Sequence, residues 1–203
     1  MVAALAVVLL SACGNAFQLP AAVVGGMPIT QEALAHQLQV LLADPQYEAQ
    51  VRGPGGAEAR RDLTRRLLGL LVRRQIVDDY ARRRGIAISP GDVDRQLGSI
   101  IRGTGGLARF RQILRQRGLT EEDVRDNIFQ SQLLQRVHDA VAFDRVGPNA
   151  TGRQADRAFA TWLGEQLRAV DVQVNPRFGR FDRSNGAICP VASTADTASC
   201  PGP

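Results

Sequence analysis

Residues Ala57 to Arg84 read AEARRDLTRRLLGLLVRRQIVDDYARRR, an uninterrupted helical pattern of about eight turns. Leu63, Leu67, Leu70 and Val77 recur along one side, and Leu71, Val72, Ile76 and Tyr80 widen it. A stripe that broad needs more than one neighbour to cover it, so the segment predicts a helix packed among several others. Arginine runs occupy the rest of the helix, at Arg60-Arg61, Arg65-Arg66, Arg73-Arg74 and Arg82-Arg83-Arg84. Asp62 with Arg66, Asp78 with Arg82 and Asp79 with Arg83 stand in acid-first order four residues apart, which predicts internal pairs on a solvated face rather than a phosphate-binding stripe.

Further helices flank this one. Upstream, Thr30 is an N-cap for a segment carrying Leu34, Leu38, Leu41 and Leu42, and Arg52 to Gly56 is a breaker cluster. Downstream, Gly85 ends the long helix, and Ser89-Pro90 starts another that buries Val93, Leu97, Ile100 and Ile101. After the break at Gly103 to Gly106 comes a short helix, Leu107 to Arg117, with Phe110, Ile113 and Leu114 inside. Thr120 with Glu121, Glu122 and Asp123 opens the next, whose inner face is Val124, Ile128, Leu134, Val137 and Val141. Beyond a linker at Gly147 to Gly152, Arg153 to Ala169 forms the last, with Ala155, Phe159, Trp162, Leu163 and Leu167 on or near one face.

Strand signals sit at both ends. Ala21 to Val24 leaves through Gly25-Gly26, and Asp171 to Val174 alternates before Asn175-Pro176. A lone strand leaves its backbone groups unpaired, so the two are expected to pair. The fold expected is mainly α, about six helices closed by a small two-stranded pairing of N- and C-terminal strands. From about Ser184 onward the chain is polar, contains proline and glycine, and reads as loosely ordered.

The chain opens with MVAALAVVLLSACGN, Met1 to Asn15, whose apolar run of roughly ten residues is too short to span a membrane. Leu10-Ser11-Ala12-Cys13 resembles a bacterial lipoprotein signal, which implies cleavage before Cys13 and acylation of its sulfur. The first charged residue is Glu32, where a secretory signal normally opens with Lys or Arg. The expected division is therefore residues 1–12 as signal peptide, 13–20 as tether, 21–182 as one helical domain and 183–203 as tail. An oxidising compartment predicts a disulfide between Cys189 and Cys200, and two reactive thiols in denatured, unreduced protein would refute it.

All 25 basic residues are arginine, and the net charge is +5, a balance that permits contact with anionic lipid or nucleic acid without requiring it. Aromatic residues make up 5% of the chain, too few to build base-stacking platforms, and no nucleic-acid motif is present.

The order of these signals resembles the N-terminal domain of the SurA family, exported chaperones that receive unfolded outer-membrane or secreted proteins. The resemblance rests on Val23-Val24-Gly25-Gly26-Met27-Pro28-Ile29-Thr30, on the long helix leading to Arg84-Gly85-Ile86-Ala87-Ile88-Ser89, on Gly118-Leu119-Thr120-Glu121-Glu122-Asp123, and on Val174-Asn175-Pro176-Arg177-Phe178-Gly179. It runs from about Ala21 to Asp182, and Gly25 stands where the family usually has Asn. It implies the same pairing of terminal strands. The family's parvulin isomerase module normally precedes the last core helix, where this chain has only Gly147 to Gly152, far short of a domain of about a hundred residues. The resemblance therefore implies a chaperone or binding module without isomerase activity.

No catalytic residue, metal or cofactor is expected. His36 and His138 have no His, Cys or carboxylate at i+3 or i+4 that completes a metal motif, and Asp139 projects about 100° round the helix from His138. Phe110, Phe129, Phe143, Phe159 and Trp162 are the candidates for lining a groove for apolar client segments, although aromatic side chains in such a domain more often fill its core. The function expected is a lipid-anchored chaperone-like protein on the extracytoplasmic face of a bacterial membrane, binding unfolded or newly exported chains without ATP. The alternative is an envelope scaffold holding one folded partner.

Overall fold

The computed structural model describes residues 19–191. Ala22–Val24 (β1) turns back through Gly25 and Gly26, at φ +55° and +82°, into Met27–Ile29 (β2). Two successive positive φ values suit a tight hairpin and favour glycine, so the turn expected to release the chain instead returns it antiparallel, with Val24 opposite Met27. Thr30 then caps α1 (Gln31–Leu42), accepting the Ala33 N–H at 3.0 Å.

A helix absent from the sequence reading follows. In α2 (Pro45–Arg52), Asp44 accepts the Gln46 N–H at 2.8 Å and Pro45 occupies the first turn. This is the cap-then-proline signal already recognised at Ser89-Pro90. The long helix is α3 (Gly56–Arg84), closed by Gly85 at φ +65°. Ser89 starts α4 (Pro90–Gly103), and α5 (Leu107–Arg117) ends at Gly118. A reciprocal Thr120–Asp123 capping box opens α6 (Glu121–Val146), and α7 (Gly152–Ala169) lies against it.

The helix α3 touches α1, α2, α6, α7 and three strands, as its broad stripe requires. Leu68, Val72, Val137 and Val141 are the largest fully buried side chains, so the centre of the core lies on the α3 and α6 faces. Two expected inner positions are corrected. Leu70 is 54% exposed, because the side it shares with Leu63 and Val77 is covered at those levels and left open between them. Leu134 is 46% exposed although it stands one heptad before buried Val141, and Leu133, four residues before Val137, is buried instead.

Of the predicted ion pairs, that of Asp79 with Arg83 forms and the other two do not. Asp79 binds both Arg82 and Arg83, and Asp62 binds Arg65 rather than Arg66. Asp78 makes no ion pair with Arg82.

Strands from the two ends of the helical body meet in one sheet. Val172–Val174 (β3) pairs antiparallel with β1, Ala22 opposite Val174 and Val24 opposite Val172, giving the order β2-β1-β3. The expected two-stranded pairing is thus present, with β2 as a third strand. Pro28 lies in the middle of β2, an edge strand, where a residue without an N–H discourages further pairing.

The reading of residues 183 onward as a loose tail is corrected up to Cys189. Arg180–Asp182 (β4) and Ala187–Cys189 (β5) form a hairpin that lies on α3. Gly69 lets it approach: a Cβ there would stand 2.9 Å from the Gly186 carbonyl oxygen. Arg73 donates to the Asn185 carbonyl at 2.8 Å, and Ile188 and Cys189 are buried. These contacts offset the ordering entropy that a polar, glycine-containing segment alone would not overcome.

Candidate functional site: two clefts beside the N-terminal hairpin

The β1–β2 hairpin stands over α3 with an open cleft on each side. The larger cleft, about 570 Å³, lies between β2, α1, α3 and the start of α6. Pro28, Ile29 and Leu71 give it apolar wall, while Gln37, Arg74, Gln75, Asp78 and Asp126 are polar. The second, about 430 Å³, runs from Val24 and Met27 to Gln166 and Val170 on the α7 side. Gln75 lines both.

Electrostatics distinguish the larger cleft. Burial pushes the Asp78 carboxyl above its ordinary pKa, against the opposing pull of Arg74, Arg82 and Gln130. Burial likewise lowers the Arg74 guanidinium, which Asp78 and Asp126 hold up. The Asp78 Oδ1 atom is buried with no hydrogen-bond partner among the described residues. An unmatched buried acceptor costs about 1–3 kcal/mol, which a ligand N–H would recover. At the rim, His36 Nε2 lies 3.3 Å from Asp123 Oδ1, joining α1 to the start of α6. Burial alone would raise Asp123, but hydrogen bonds from the Thr120 hydroxyl and N–H, with His36 nearby, hold it below the usual range.

The aromatic candidates do not converge on one groove. Phe110 is 3% exposed and Trp162 is 4% exposed, so both belong to the core and the groove role is corrected for them. Trp162 meets Tyr80 edge-on with ring centroids 4.9 Å apart, and Phe159, half-buried, tilts against it at 5.3 Å. Phe129 packs half-buried against the core. Phe143 alone is open, near exposed Val146 at the end of α6. Cys13 and Cys200 lie outside the described residues, while Cys189 is buried in β5.

His138 sits between two carboxylates, Asp139 at 3.2 Å and Asp156 of α7 at 3.1 Å, and its ring tilts against Phe159. The expectation that Asp139 points away is corrected, because side-chain rotation brings its Oδ1 to the neighbouring ring despite the helical offset. This arrangement fastens α7 to α6. Among the described residues no cluster of three or more His, Cys, Asp or Glu is arranged to hold a metal ion, and no helix is long and apolar enough to cross a membrane.

A family model described as SurA-like N-terminal domain matches residues 1–138. The chain belongs to this SurA-like N-terminal domain family. The matched span takes in the hairpin, α1 and α3 and ends within α6, so it contains every residue lining the larger cleft. The SurA-like domain is of chaperone type. No curated protein matches the chain. Sequence reasoning missed the cleft because its lining comes from residues far apart in the chain.

Proposed function

We propose that this protein is an ATP-independent holding chaperone, lipid-anchored through Cys13 on the extracytoplasmic face of a bacterial membrane, that takes extended polypeptide into the cleft beside β2. The mixed lining of the larger cleft carries this reading: apolar Pro28, Ile29 and Leu71 accept side chains of many kinds, while Arg74 and Asp78 offer a donor and an acceptor to peptide backbone. Such a site discriminates weakly between sequences, as a holding chaperone requires, and binding the unfolded state limits aggregation by mass action. A disulfide between Cys189 and Cys200 belongs to the same reading, since an exported chain meets oxidising conditions.

The purified protein is expected to suppress aggregation of a chemically denatured client at near-stoichiometric ratio. Ala33→Trp, which fills the cleft from an exposed position on α1, is expected to remove most of that protection while leaving thermal stability unchanged. Absence of suppression by the wild type across several clients would reject the reading. Recovery of one folded partner at fixed stoichiometry after crosslinking would replace it with a scaffold.

The anchor has its own test. Cys13→Ala is expected to move the protein from the membrane to the soluble extracytoplasmic fraction, because burial of acyl chains, at about 0.8 kcal/mol per methylene, is what holds it there. Unchanged fractionation would remove the anchor from the proposal.

A further inference from the structure

Between Asp94 and Glu121 the chain carries six arginines and no acid. Arg95 pairs with Asp92. The other five, Arg102 at the end of α4 and Arg109, Arg111, Arg115 and Arg117 on α5, are exposed and make no ion pair with any described residue. On α3 and α6, by contrast, Arg65, Arg83, Arg125 and Arg145 face carboxylates.

The helix α5 is held from one side only. Phe110 and Leu114 are buried against the body of the domain, and the opposite side is open. Leu107, Arg111 and Arg115 stand four residues apart along an exposed flank of α5 beside that buried stripe, with Leu107 42% exposed. We infer that this face docks on the surface of an anionic bilayer, with headgroup phosphates accepting from the guanidinium groups and Leu107 entering the interface.

The chemistry favours a bilayer over other anions. Guanidinium groups bind phosphate through paired N–H donors, and Leu107, exposed beside Arg111, supplies one apolar side chain to the headgroup layer. The only aromatic side chain of α5, Phe110, is buried and offers no platform to a base. No residue of α5 lines either cleft beside the hairpin. The choice of bilayer rests on the anchored, exported placement proposed above, whereas the charge and exposure of the face do not.

The test uses the full chain carrying Cys13→Ser, so that no acyl chain contributes. Cosedimentation is measured with vesicles of equal parts phosphatidylglycerol and phosphatidylcholine, and with phosphatidylcholine alone. Binding is expected to the first and not the second, and to fall steeply as salt rises. Replacing Arg109, Arg111, Arg115 and Arg117 together by Gln should weaken it at least about tenfold. Replacing Arg60, Arg66, Arg153 and Arg157 by Gln removes the same charge elsewhere and should not.

No binding to anionic vesicles, equal binding to both vesicle types, or equal loss in both variants would overturn the proposal. Tighter binding to an oligonucleotide than to the anionic vesicles would also overturn it and reassign the face to nucleic acid. Circular dichroism checks that the variants remain helical, and Arg111→Gln with Arg115→Gln gives the same reading if the fourfold variant unfolds. Client protection by the fourfold variant should be intact, which separates failure here from failure of the chaperone reading.

Discussion

Trp162→Ala is expected to destabilise the protein by about 3–5 kcal/mol, a large share of the 5–15 kcal/mol typical of a domain. The indole is 4% exposed and meets Tyr80 of α3 edge-on at 4.9 Å, so it joins the last helix to the longest one. Truncation removes buried apolar area, leaves a cavity between α3 and α7, and abolishes the aromatic pairs with Tyr80 and Phe159. Urea unfolding should be followed by far-ultraviolet circular dichroism, because the variant lacks the chain's single tryptophan. A loss below about 1 kcal/mol would mean that the ring lies in an open groove after all.

The second large effect is local. Gly179→Ala would place a Cβ 2.0 Å from the Cys189 carbonyl oxygen and 3.2 Å from Ile188 Cγ2, at a backbone φ of +132° that alanine rarely adopts. Neither neighbour yields cheaply, since one is backbone in β5 and the other belongs to a side chain packed on α3. The β4–β5 hairpin is expected to part, lowering stability by about 2–3 kcal/mol. Limited trypsin digestion reads this directly, through faster cleavage at Arg180 and Arg183 while the helical body persists. Gly152→Ala is the matched control: it meets nothing within 4 Å and should stay within about 0.5 kcal/mol of the wild type. Wild-type protease resistance in Gly179→Ala would show that the hairpin tolerates the displacement.

Much of the fold could be read because its signals are local. Thr30, Ser89-Pro90 and Thr120 through Asp123 satisfy orphan N–H groups within one turn, and Gly85 and Gly118 supply left-handed stops, so the sequence alone places those boundaries. The closure of the two ends could be inferred as well, from the general cost of leaving strand edges unpaired.

What escaped depends on neighbours. Leu70 and Leu134 obey apolar spacing yet lie where no element covers them, and periodicity cannot show where cover ends. The β4–β5 hairpin has three residues per strand, too few to alternate visibly, and its order comes from Gly69, Arg73 and Ile188 meeting across more than a hundred residues. The cleft is harder still, because Ile29, His36, Leu71, Asp78 and Asp126 share a surface only once four elements have packed. The reverse holds for Phe110 and Trp162, whose chemistry suits either a groove or a core.

The pairing of Ala22 with Val174 has a kinetic consequence. These partners are separated by 152 residues, 174 less 22, so the contact closes a loop nearly as long as the described domain. Loop closure of that span is entropically costly and comes late, after the local helices have formed. A chain threaded across a membrane with its N-terminus first would carry β1 without β3 until its far end arrived. In a chain so exported, the hydrogen bonds between β1 and β3 would be made only once translocation was almost complete, and a truncation before residue 172 should leave the N-terminal hairpin with an uncovered edge.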